Sequence, residues 1–77
     1  MEIEIISFGK LAELITINRL EVDAVFDTDA LKRNLEEKFP ELKNTKYKLA
    51  VNRQIVHTNT ELTAGVVVAI MQPFSGG

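Results

Sequence analysis

The sequence has no cysteine, only one histidine, and no apolar run approaching the roughly 20 residues that a membrane span requires. Without cysteine there is no disulfide, no thiolate zinc site and no cysteine nucleophile, and the chain is compatible with a reducing compartment. The single histidine, His57, has no second residue beside it that would make a catalytic or metal-binding set, so no metal and no bound cofactor are expected. Basic residues are scattered, and nine of them face eleven acids for a net charge of -2, which leaves no positive stripe to neutralise phosphates. Nucleic acid is therefore not an expected partner. Met1-Glu2-Ile3-Glu4 places two acids where a secretory signal carries basic residues, so the expected location is cytoplasmic, away from membranes.

What is present is an ordinary globular composition, 45% hydrophobic and 26% charged, over 77 residues, which is room for one domain spanning 1–77. A chain this short buries a limited share of its surface, so its core forms without a deep internal pocket. That argues against a self-contained enzyme with catalytic side chains in a dry site.

Glu2 to Phe8 predicts a strand, with Ile3 and Ile5 on one face and Glu4, Ile6 and Phe8 on the other. Leu11, Leu14 and Ile15 have helical spacing over a short segment from Lys10. Thr16 to Val25 predicts a second strand, antiparallel to the first. Leu31, Leu35 and Phe39 then form one apolar stripe of a longer helix, with Thr28 or Asp29 as its cap and Pro40 as its stop. Tyr47 to Asn52 alternates as a strand and can turn through Arg53-Gln54 into a short strand at Ile55 to His57. Thr58 to Gly65 is rich in turn formers. Val66 to Met71 is an unbroken apolar run, expected to be a central strand buried on both faces. This order predicts an α+β roll with one main helix packed on one face of a mixed sheet of four to five strands.

Residues 72–77, Gln72-Pro73-Phe74-Ser75-Gly76-Gly77, are expected to form a projecting tail. Six extended residues reach roughly 20 Å, enough to enter a cleft on another protein. Proline keeps the exit extended, and two terminal glycines make the last stretch as narrow as a polypeptide can be. Such a tail can carry a main-chain carboxylate through a tunnel, and a frayed terminus is the competing reading. Two further residues are weighed as partner contacts: Ile6 and Phe8 lie on the strand face that the helix does not cover, unless the segment from Lys10 to Ile15 folds back over them. Phe74 offers aromatic contact area beside the glycines. The lysine clusters around Lys32 to Lys38 and Lys43 to Lys48 are expected to be solvated faces without chemistry.

Taken together, the element order, Ala50-Val51-Asn52 before a hairpin, Leu62 and Gly65 before the last strand, and the Pro73-Phe74-Ser75-Gly76-Gly77 ending resemble the MoaD/ThiS family of ubiquitin-like sulphur carriers over essentially the whole chain. The ending is more similar to the molybdopterin synthase branch than to the thiamine branch. Gln72 and Val66 depart from the family pattern, which often has a second proline and an aspartate there. The resemblance implies a β-grasp fold and a non-catalytic role as sulphur donor. A separate ATP-dependent enzyme would adenylate the Gly77 carboxylate, next to Gly76, and a sulphurtransferase would convert it to a thiocarboxylate. Pro73, Phe74, Ser75, Phe8 and Ile6 would contact partners, among them a large synthase subunit bearing the catalytic side chains, where sulphur reaches a pyranopterin precursor to build the molybdopterin dithiolene. Sulphur carriage for thiamine or tRNA thiolation, and an interaction module with an inert tail, stay as alternatives.

Overall fold

The computed structural model describes residues 1–22 and 26–73. Strand β1 (Glu2–Ser7) leads into helix α1 (Lys10–Leu14), and β2 (Arg19–Glu21) returns antiparallel to β1 with Ile3 opposite Leu20. Strand β3 (Phe26–Asp27) precedes the main helix α2 (Thr28–Lys38), which a 3-10 turn (Pro40–Asn44) follows. Strands β4 (Lys48–Val51), β5 (Gln54–Val56), β6 (Glu61–Leu62) and β7 (Val67–Met71) complete the order. The main sheet runs β2-β1-β7-β4-β5, mixed because β7 is parallel to β1 and antiparallel to β4. This is the β-grasp arrangement, with α2 packed across one face.

The covered face follows the sequence pattern closely. Ile3 and Ile5 from β1, Leu49 from β4, and Val68 and Ile70 from β7 meet Leu31 and Leu35 of α2, and all are nearly or fully buried. Leu11 and Ile15 join the same cluster, so the α1 segment packs into this core. It does not fold back over Ile6 and Phe8, which stay exposed.

Four local expectations are corrected. The helix cap is Asp27, whose Oδ1 accepts from the Ala30 N–H at 2.8 Å; Thr28 and Asp29 are already helical. The Thr28 hydroxyl, expected as a cap, is buried and accepts from Thr60 N–H, while Asn59 Oδ1 accepts from Asp29 N–H. These contacts fasten the start of α2 to the segment before β6, where the short β3–β6 pair (Phe26 with Leu62) adds a two-stranded ladder inside the region read as turns. The hairpin turns through Asn52 and Arg53, both at positive φ (48° and 74°), one residue earlier than expected. Two such residues make a turn whose twist matches the flanking strands. The second strand is short, Arg19–Glu21, instead of extending from Thr16 to Val25; residues 23–25 lie outside the described residues.

Strand β7 is central, as its apolar run predicts, yet it is not buried on both faces. Val68 and Ile70 are buried, but Val67, Ala69 and Met71 are only half-buried, because among the described residues no element packs on their side. A run of apolar residues reads identically whether its second face is covered or open.

Candidate functional site

The segment expected to form the tail follows β7 in the chain, and β7 is register-paired along Val67 to Ile70 with β1 and along Val68 to Met71 with β4. Hydrogen bonds on both sides hold β7, so Gln72 starts from a fixed strand end. Of the predicted tail contacts, Pro73 is described and half-buried; Phe74, Ser75, Gly76 and Gly77 lie outside the described residues.

The open face of the sheet forms a trough beside that exit. Directly opposed residues on neighbouring strands share a face, so the register places Ile6, Ala69, Ala50 and Ile55 in one row across β1, β7, β4 and β5. The two central positions are alanines, while Ile6 and Ile55 at the flanks are 37% and 44% exposed. Phe8, 52% exposed, extends the β1 wall toward the tail, and its N–H donates to the Ile70 carbonyl at 3.3 Å. The recess is about 460 Å³ and includes Ile6, Phe8, Val67 and Ala69, with Glu4 and Arg53 as its charged members. Asn52 closes one end: its side-chain Oδ1 accepts from Val67 N–H at 3.1 Å while its own N–H donates to the Val67 carbonyl. Low floor and raised apolar walls suit a convex ridge from another molecule.

Next to the tail root lies a second, polar groove. Lys48 is register-paired with Met71, and Lys48, Lys46, Lys32 and Pro73 border about 420 Å³ of space together with Tyr47 and Glu36. The Tyr47 hydroxyl donates to Glu36 Oε2 at 2.6 Å. Burial, and then the hydrogen bond to Glu36 and its negative charge, push the phenol well above its ordinary value, so it remains a donor. At the far end of α2, the hydrogen bond from Ala30 N–H, and after it that from Asn59, hold the Asp27 carboxyl below its usual value.

Ile6 and Phe8 are thus brought together in the trough, whereas Pro73 lines the other groove. Ile55, Ala50, Ala69 and the lysines at the tail root were missed as site residues by sequence reasoning. The strand periodicity of residues 48–56 carried a signal for Ile55, but only the β4–β7 register shows that small side chains line up between the walls. Among the described residues no group of three histidine, aspartate or glutamate side chains is placed to hold a metal ion, and no helix is long and apolar enough to cross a membrane.

The protein-family model of the ThiS family matches residues 5–77, nearly the whole chain and through the last glycine. The chain belongs to the ThiS family. It is therefore a member of the ubiquitin-like sulphur carriers that the order of its elements and its ending resemble. Among solved structures, SAMP1 from Haloferax volcanii is similar with a TM-score of 0.78 at 21% identity, each chain covered completely, a likeness that shows the β-grasp fold. A complex of subunits 1 and 2 of molybdopterin-converting factor from Helicobacter pylori 26695 contains a chain similar at 26% identity with a TM-score of 0.69, again with both chains fully covered. A search of the curated proteins found no match.

Proposed function

We propose that this ThiS-family chain is the small, sulphur-carrying subunit of a molybdopterin synthase and that its reactive group is the carboxylate of Gly77. The observation that carries the reading is the family match continuing through Gly77 on an arm rooted in the central strand. The Pro73-Phe74-Ser75 lead-in and the likeness to a chain of the Helicobacter pylori molybdopterin-converting factor complex favour this branch.

A carboxylate is a poor electrophile until one oxygen becomes a good leaving group. In the proposed cycle a Gly77 oxygen attacks the α-phosphorus of ATP on a separate adenylating enzyme, pyrophosphate leaves, and an acyl-adenylate forms. The persulfide sulphur of a sulphurtransferase displaces AMP to form an acyl disulfide, and a thiol then cleaves the S–S bond, forming a disulfide with the sulphurtransferase and leaving a terminal thiocarboxylate. The arm then enters the large synthase subunit, where the sulphur passes to a pyranopterin precursor and water returns the terminus to a carboxylate. Two deliveries complete one dithiolene, so the small subunit cycles. With no cysteine in the chain, sulphur cannot ride as a protein persulfide, which leaves the terminal acyl group as its carrier. From Pro73 the remaining four residues reach about 14 Å when extended, the depth available inside the partner. The chain supplies no catalytic side chain in this scheme; Ile6 and Phe8 seat the partner on the open face while Phe74 and Ser75 accompany the glycines into the cleft.

Intact mass after co-expression with the adenylating and sulphurtransferase partners tests it: one oxygen replaced by sulphur at Gly77 is expected, and a chain that never gains it refutes the reading. Removal of Gly76 and Gly77 abolishes loading in a folded protein; retained activity instead identifies an interaction module with an inert tail. The ThiS-family match itself favours a second reading, sulphur carriage for thiamine. Rescue of a strain lacking the molybdopterin small subunit supports the first reading, and rescue only of a thiamine-requiring strain supports the second.

A further inference from the structure

The lysine groove at the tail root has no part in the scheme above. Lys32 comes from α2, Lys46 from the segment before β4 and Lys48 from the start of β4, so tertiary structure brings three lysines from two separate stretches of chain to the border of one groove. The groove's one acid, Glu36, already accepts from Tyr47, and the described residues form a single ion pair, between the Met1 ammonium and Glu21, with none at these lysines. In a chain whose net charge is -2, this is a local excess of positive charge beside the segment that must enter a partner.

We propose that the groove receives an acidic segment, a short run of aspartate or glutamate on the rim of the cleft that the Gly77 tail enters; this rests on the carrier reading. Its lining offers no arginine fork and no helix N-terminus, the features that gather a phosphate group. Flexible ammonium stems spread over an open groove suit several carboxylates on an extended segment instead. An overall acidic chain is repelled by an acidic rim unless it approaches with this side forward. The lysines therefore orient encounter so that the tail faces the cleft, while the apolar trough sustains the contact once made.

The test is a titration of the isotope-labelled full chain with a hexaglutamate peptide at low ionic strength, followed by amide chemical shifts. Saturable shifts at Lys32 and at residues 45–48, lost at high salt, are expected. The triple variant Lys32→Glu, Lys46→Glu, Lys48→Glu should lose them, whereas the triple change to arginine should keep them, with the spectra themselves showing that both variants fold. Shifts that are absent, scattered elsewhere or insensitive to charge reversal overturn the proposal. Inorganic pyrophosphate that displaces the peptide and shifts the same amides more strongly also overturns it, identifying a phosphate site. Sulphur loading at Gly77, read by intact mass on the same variants with saturating partners, separates the two ideas. A chain that binds the peptide but never loads sinks the carrier reading alone, and one that loads normally but ignores the peptide sinks only the groove.

Discussion

On the covered side of the sheet the central strands carry Val68, Ile70 and Leu49, all essentially inaccessible, and α2 closes over them with Leu31 and Leu35. On the open side the same two strands carry Ala69 and Ala50, and the bulk has moved outward to Ile6, Phe8 and Ile55. One face is built to be filled from within and the other to be filled from outside. The comparison teaches that a very small domain can place its stability on one face of a sheet and leave the second face open among the described residues.

The largest expected effect comes from breaking the covered face. Leu35→Ala should cost about 2–5 kcal/mol in urea unfolding, a large part of what a domain of this size has in total. The same truncation at exposed Ile55 should stay within about 0.5 kcal/mol, and equal losses at both positions would erase the distinction between the faces.

Next, Phe8→Asp places a charge on the trough wall. It should leave the unfolding midpoint nearly unchanged while reducing the rate of Gly77 loading by the adenylating partner at least tenfold; unchanged loading in a folded variant removes the open face from the docking account.

A smaller effect sharpens the covered side through its helix cap. The Asp27 carboxyl is held below its ordinary value of 3.8 by the hydrogen bonds from Ala30 and Asn59. Its folded-state value is depressed, so its stabilisation is present above about pH 4 and is lost as pH falls through the folded value. Asp27→Asn should therefore be less stable than the parent at neutral pH, with the difference shrinking in unfolding curves taken below pH 4. A difference that is constant with pH would remove the ionised cap from the explanation.

The smallest expected change is in the hairpin beside the trough. Arg53 holds a φ of 74°, a left-handed conformation that glycine adopts without a Cβ penalty. Arg53→Gly should raise stability by up to about 1 kcal/mol, offset in part by the greater freedom of glycine in the unfolded chain.

Much of the covered face was readable from residues alone. The alternation of Ile3 and Ile5, the four-residue recurrence of Leu31 and Leu35, and the Pro40 stop each report a local period, and local periods survive without knowledge of neighbours. The cap was misread by one residue because Thr28, Asp29 and Asp27 all carry a side-chain oxygen, and only the backbone extended at Asp27 (φ -131°, ψ 176°) selects among them. The β3–β6 pair escaped because a two-residue strand has no period to detect. In the candidate site, Ile6 and Phe8 were legible as apolar residues on the wrong side of an amphipathic strand. The lysines were not, since each stretch taken separately is an ordinary solvated face.

The residues themselves determined the order of the longer elements, the identity of the buried stripe, the lack of any thiol and the glycine ending, because these depend on side-chain type and spacing along one strand or one helix turn. Tertiary structure decided that one face of the last strand stays open, that two alanines from different strands align into a trough, and that Lys32 borders the same groove as Lys46, Lys48 and Pro73. The physical reason is that cross-strand register and helix placement are set by the packing of the whole core, which no single segment encodes.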